Sequence, residues 1–291
     1  MILQTKHLNI QQIAESGQCF RMNPIGNGKY SLIAFGRYLE ISQQKEDTLE
    51  LHCTEEDFDE IWKSYFHLDY DYETIVTSLS QSSDDFLRRA VQYGSGIRIL
   101  RQEPFEMLIS FIISQNKNIP SIKACIERIC ESYGAPITDR ITGMVHYAFP
   151  TAEQLAGAKR EDLRQLKLGY RDSYILSAAR AVAEGTVNLE ELKKASHAEA
   201  LRVLQGIHGV GEKVANCVSL YGLHHIEAFP VDVWIRRILT EVYGNSFDTA
   251  PYSGYAGIVQ QYMFYYIRSQ KEGSSVLQNK KEPLSEAALS Y

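Results

Sequence analysis

The stretch LQGIHGVGEKVANC, residues 204–217, sets three glycines, Gly206, Gly209 and Gly211, within six positions and then continues with helical spacing. A helical pattern over 197–205 precedes it, so the order reads helix, glycine turn at 206–211, helix over 212–223. Glycine permits the positive φ values and tight turns that such a connection needs. The amides of Gly209, Val210 and Gly211 then lie at a helix N-terminus, where unpaired N–H groups and the helix dipole favour a phosphate. A Walker loop ends in Gly-Lys-Ser/Thr after a strand, and a dinucleotide fingerprint sits in a βαβ unit; neither context is present. A glycine-rich turn that binds nothing is the plain alternative.

Lys213 stands on the first turn of the second helix, beside its positive end, a poor place for a purely structural cation. The same field and partial burial favour the free amine, which is the nucleophilic form. A solvated lysine touching a phosphate is the simpler reading. Nineteen residues further on, FPVDVWIRRIL (229–239) puts Asp232 after Pro230 and before another helical pattern. Taken alone Asp232 is an N-cap. A short return after the second helix would also bring it back beside the hairpin, so lysine and carboxylate could share one cleft.

The rest of the chain narrows the class. Its 291 residues carry a formal net charge of −6, which offers no general argument for a nucleic-acid partner; a local surface must supply one. The five cysteines form no CxxC pair and no Cys/His zinc spacing, and an odd count without a signal peptide suggests a reducing compartment. With no 18-residue apolar run and no targeting signal, the expectation is a soluble protein, cytoplasmic or otherwise intracellular, with no membrane partner. In KYSLIAF (29–35) and TLELHC (48–53) the alternation has period two, and Gly26-Asn27-Gly28 and Gly36-Arg37 look like hairpin turns. From Thr54 onward helices dominate, near 72–80, 84–93, 104–115, 120–133, 151–157, 160–167, 172–184, 197–205, 212–223, 232–243 and 252–269. The fold class is α+β, a small N-terminal antiparallel twisted sheet followed by an all-helical body.

LQGIHGVGEKVA followed by FPVDVWIRRIL resembles the helix–hairpin–helix, Gly/Pro-rich loop and aspartate signature of the HhH-GPD DNA glycosylase superfamily. Lysine at position 213 matches its bifunctional glycosylase/lyases, and the iron–sulfur subgroup is excluded because no cysteine follows Cys217. Over about residues 8–268 the chain is similar to the 8-oxoguanine DNA glycosylases, in a bacterial-type form. SGQCFRM (16–22) resembles the family's first strand, which implies that the Gly17 carbonyl accepts the lesion's N7–H. FIISQNKNIPS (111–121) implies that Asn116 fills the gap left by an extruded base, while Asn118 with Pro120 also reads as a helix start. LGYRDSY (168–174) implies a wedge at Tyr170 and an arginine, Arg171, toward the orphaned cytosine. YAGIVQQYMFYY (255–266) implies that Gln260 reads and Phe264 stacks on the flipped base; the two share a helical face. Cys217 matches the opposite wall of that pocket, and Tyr262, Tyr265 and Tyr266 read as core.

Two departures stand out. Ser121 occupies the place where many eukaryotic relatives carry an arginine that helps demand cytosine, so relaxed opposite-base specificity is expected. Trp234 and Ile267 replace a histidine and an aspartate, which puts a phosphate contact in doubt. The resemblance implies a two-lobed helical body: a sheet domain over 1–84 with flanking helices, a pocket lobe over 85–150 and 247–270, and a lobe over 151–246 with the hairpin and the catalytic Lys213 and Asp232; the polar, uncapped stretch over 271–291 reads as a flexible tail. It implies no cofactor for chemistry, a possible structural monovalent cation on the carbonyls of Gln205, Ile207 and Val210, and double-stranded DNA containing 8-oxoguanine as the partner of a monomer. Arg88, Arg89, Arg98, Arg171, Arg236 and Arg237 are candidate sources of local positive potential. A glycosylase for another damaged base and a non-catalytic DNA-binding module are the alternatives, with a nucleotide-hydrolysing enzyme third.

Overall fold

Residues 1–270 are described by a computed structural model of the chain; the tail expected over 271–291 lies outside them. The period-two segments pair as β1 (Ile2–Gln4), β2 (Met22–Gly26), β3 (Lys29–Ala34), β4 (Arg37–Lys45) and β5 (Thr48–His52), an antiparallel sheet of order β1-β5-β4-β3-β2. Leu32 pairs with Leu39 and Ile41 with Leu51, all fully buried, so one face is apolar. The helix α1 (Ile10–Glu15) and the aromatic cluster Trp62, Tyr65 and Phe66 share the core with that face.

The first hairpin turns at Asn27-Gly28, both at positive φ, as a tight two-residue loop requires. The second turns at Phe35-Gly36 rather than at Gly36-Arg37, because Arg37 is already paired with Ala34. Phe35 takes a φ of 51°, uncommon for a side chain with a Cβ. The Glu103 carboxylate accepts its N–H at 2.7 Å.

α2 (Glu55–Asp57) passes through one π-helical turn, Phe58–Trp62, into α3 (Lys63–Tyr65). Then come α4 (Tyr72–Ser80), α5 (Asp85–Gly94), α6 (Pro104–Ser114) and α7 (Ile119–Tyr133). A hairpin of β6 (Pro136–Thr138) and β7 (Val145–Tyr147) follows; its strands of three residues are too short for a periodic signal. It lies against the sheet, with His146 stacked on Tyr38 at 4.5 Å. The remainder is α8 (Ala152–Ala156), α9 (Arg160–Gln165), α10 (Arg171–Ala183), α11 (Leu189–Leu192), α12 (His197–Gln205), α13 (Glu212–Tyr221), α14 (Val233–Glu241) and α15 (Ala256–Ser269).

The buried residues of α4, Tyr72, Ile75, Val76 and Leu79, pack in the helical core and not in the sheet's core. α6 is buried along nearly its whole length and packs on α7, α10 and α13, which gives the two expected lobes one shared core. Tyr262, Tyr265 and Tyr266 are buried there as expected. Among the described residues no helix is long and apolar enough to cross a membrane.

Candidate active site

The glycine turn folds as its composition demands. α12 ends at Gln205, Gly209 has a φ of 88°, and Gly211 is the N-cap of α13. A Cβ placed on Gly209 would lie 2.2 Å from Cγ of Tyr174, so close approach as well as φ requires glycine there. Of the three amides expected to clamp a phosphate, that of Val210 donates to Ile207 O at 3.0 Å and is not free. The turn closes on itself through this bond, leaving the Gly209 and Gly211 amides without a protein partner among the described residues. Ile207 O keeps a second lone pair, and residues 205–211 line one shallow concavity with Gln115 and Tyr174, which fits a cation held by carbonyls.

Lys213, half-buried on the first turn of α13, donates from Nζ to Ser114 Oγ at 3.4 Å and lies 5.3 Å from the Phe111 ring centroid. α6 therefore fixes the amine from behind. Asp232 caps α14, its Oδ1 accepting from the N–H groups of Trp234 at 3.0 Å and Ile235 at 2.9 Å. Its Oδ2 accepts no hydrogen bond among the described residues. Burial raises the pKa of this carboxyl, opposed by the Ile235 N–H and the Lys213 charge. Lys213 and Asp232 thus open onto one cleft of about 970 Å³.

The same cleft is lined by Gly17, Cys217, Gln260 and Phe264, so the structure assembles residues separated by up to 247 positions. Gly17 is not in a strand, contrary to the reading of 16–22. It follows the end of α1 at a φ of 77°, which no strand continues, and β2 begins only at Met22. Gln261 Nε2 donates to Ser16 O at 2.6 Å and pins this bend to α15. Gln260 is buried; its Nε2 donates to Pro230 O at 3.1 Å and its Oε1 accepts from Tyr221 at 3.4 Å. Burial pushes the Cys217 thiol pKa up, so this wall is neutral.

The gap loop follows α6. Asn116 is exposed at a φ of 50°, and Asn118 accepts the Ser121 N–H at 3.0 Å, capping α7 with Pro120 in its first turn. Tyr170 is 53 % exposed, the placement a wedge needs. Arg171 is not placed as expected. It is buried, and its guanidinium donates to the carbonyls of Leu168, Gln115 and Asn116, because these turn carbonyls would otherwise be unpaired; it shapes the gap loop from within. Arg98 is likewise internal, bound to the carbonyls of Lys6, His7 and His67, and adds no surface charge. Arg88 and Arg89 pair with Asp85 and Arg237 with Glu241, whereas Arg236 is exposed and lines the cleft.

Sequence reasoning passed over Ser114, Gln115, Gln261 and Arg268. Gln115 Nε2 ties the gap loop to the hairpin through Gly209 O at 3.1 Å. For Arg268 a signal existed: it lies four residues after Phe264 and eight after Gln260, on the same helical face.

Residues 1–108 match a family model for the N-terminal domain of 8-oxoguanine DNA glycosylase, and residues 109–252 match one for HhH-GPD superfamily base excision DNA repair proteins. An N-glycosylase/DNA lyase of Saccharomyces cerevisiae is 39% identical over 191 residues, 62% of this chain but only 50% of the yeast protein; the match spans half the length of that relative. The solved structure of MBOgg1 in complex with a low-affinity DNA ligand superposes with a TM-score of 0.86 at 39% identity, covering 92% of this chain and 95% of that one. The Clostridium acetobutylicum 8-oxoguanine glycosylase/lyase, bound to double-stranded DNA with cytosine opposite 8-oxoG, gives 0.84 at 34% identity, covering 93% and 98%.

Proposed function

This chain belongs to the 8-oxoguanine DNA glycosylase family of the HhH-GPD superfamily, and from that premise we propose that it excises 8-oxoguanine from duplex DNA and nicks the strand by β-elimination. One observation carries the reading: an amine and a carboxylate from two helix N-termini open onto a single cleft that Gly17, Cys217, Gln260 and Phe264 also line. A base inside a duplex cannot reach such a cleft, so the damaged nucleotide turns out of the stack. Asn116 and Tyr170 occupy the gap, and the hairpin amides of Gly209 and Gly211 take a backbone phosphate. The carbonyls of Gln205, Ile207 and Val210 hold a monovalent cation against the same backbone.

Inside the cleft the Lys213 amine attacks C1′ as the bond to N9 breaks, and Asp232 stabilises the positive charge that develops on the sugar. The resulting imine acidifies the C2′ proton, so elimination opens the strand 3′ to the lesion. Ser121, on the first turn of α7, offers a short hydroxyl side chain where a longer one would test the opposite base; excision proceeds opposite bases other than cytosine.

Borohydride trapping tests this with the wild type beside Lys213→Gln, on duplexes holding 8-oxoguanine opposite each of the four bases. The expected result is a trapped adduct for the wild type alone, with comparable yields across the four partners. DNA binding with no adduct on any duplex would reduce the hairpin to a clamp and remove the enzymatic reading.

A further inference from the structure

We propose that Arg268 is a further catalytic residue of this cleft, a guanidinium that meets the extruded base at the Gly17 corner and takes up the negative charge of the departing base. The inference rests on the glycosylase reading above. Arg268 sits on α15 with its guanidinium carbon 5.2 Å from the Phe264 ring centroid. A Cβ placed on Gly17 would lie 3.2 Å from Phe264 Cε1 and 3.5 Å from Arg268 Nη1. Guanidinium, ring and Gly17 backbone therefore converge on one corner of the cleft.

The hydrogen-bonding of this arginine separates it from the structural ones. Arg98 and Arg171 each fill their guanidinium fork with several protein acceptors. Arg268 donates once, from Nη1 to Glu15 O at 3.2 Å, and its Nε and Nη2 donate to no group among the described residues. An arginine has five donors in a rigid fork, so most of its capacity is without a protein acceptor among the described residues, at a position that lines the cleft. The cleft as a whole is lined by Lys117, Lys213, Arg236 and Arg268 against the single carboxylate of Asp232, in a chain whose net charge is −6. The positive surface that the sequence demanded is local and sits here.

The chemistry gives that cation a task. When the C1′–N9 bond breaks, its electron pair goes to the base, while the Lys213 nitrogen forms the new bond to C1′. The proton lost by the attacking amine is the one that finally neutralises the base. Until it arrives the base is an anion, and a cation already in position beside it lowers the barrier without reorganisation. Asp232 serves the sugar's positive charge and Arg268 the base's negative one.

The experiment compares single-turnover excision from an 8-oxoguanine:cytosine duplex with strand cleavage of a duplex carrying a preformed abasic site, for wild type, Arg268→Met and Arg268→Lys. The abasic duplex has no base to depart and also reports whether each variant is folded. The expected result is a fall of roughly 10²-fold in the ratio of excision to abasic cleavage for Arg268→Met, partly restored in Arg268→Lys. An equal loss on both duplexes would place Arg268 on the DNA backbone and overturn the proposal, as would no loss on either. A wild-type protein that cleaves neither duplex would instead sink the glycosylase reading itself.

Discussion

Asp232 does two things with one carboxyl group, and the two oxygens divide the work. Oδ1 holds the first turn of α14 through two backbone N–H groups, while Oδ2 has no protein partner among the described residues. Asparagine caps a helix about as well as aspartate, so Asp232→Asn should keep the fold and lose only the charge. We expect its unfolding free energy to stay within a few tenths of a kcal/mol of wild type while excision drops roughly 10²-fold. Asp232→Ala should lose the same activity and, in addition, about 1 kcal/mol of stability. Urea unfolding beside single-turnover excision separates the two effects; an active Asp232→Asn variant would make this residue a cap and nothing more. Because burial raises the pKa of this carboxyl, acid should silence the enzyme by protonating it before surface carboxylates titrate.

The helix–hairpin–helix shows what an element-scale reading can and cannot recover. Its first helix has the bounds that the sequence predicts, and Asn118 and Asp232 are the caps that their positions suggest. What sequence hides is which polar groups turn inward. The Arg171 side chain and the Val210 amide are expected to face DNA, yet both serve local carbonyls, because a turn leaves backbone acceptors that must be paired. The strand expected over 16–22 comes from the family resemblance, and nothing in the residue pattern there marks the positive φ of Gly17 that makes it a bend. The closeness of Tyr174 to Gly209 is equally silent in sequence, since 35 positions separate them, and it yields a prediction. Gly209→Ala must both adopt positive φ and displace an aromatic ring, which together should cost about 2–4 kcal/mol and abolish DNA binding. Gly211→Ala, whose added Cβ meets nothing within 4 Å, should cost no more than about 1 kcal/mol. Thermal unfolding of the two variants, followed by duplex binding, checks the pair; equal losses would mean that the hairpin is not held by Tyr174.

At the scale of the molecule, the cleft depends on a seam between two cores, since Gly17 comes from the sheet side and every other base-pocket residue from the helical side. Gln102 bridges them, donating to Gln18 O at 2.9 Å and to Tyr221 O at 3.5 Å, and Arg21 crosses to Glu127 at 3.0 Å and to Tyr147 O at 2.7 Å. Glu106 is buried in the same region, where loss of solvent pushes its carboxyl pKa up to about 8 despite the Arg21 charge. A carboxyl raised from 4.5 in this way holds its proton in the fold at pH values where the unfolded chain has released it. Its contribution to stability is therefore complete below pH 4.5 and is lost as pH rises toward about 8. His67, 1 % exposed with its pKa lowered to about 3 by burial, slopes the other way below its ordinary 6.5, so the wild-type profile alone would mix the two. Glu106→Gln removes only the first, being neutral at every pH. Subtracting urea-unfolding free energies of wild type from those of Glu106→Gln at pH 5, 6, 7 and 8 should give a difference that climbs with pH, by up to about 1.4 kcal/mol per unit between pH 5 and 7 and less beyond. A flat difference would mean that Glu106 ionises freely in the fold, and that the seam which sets Gly17 against Phe264 is wet rather than sealed.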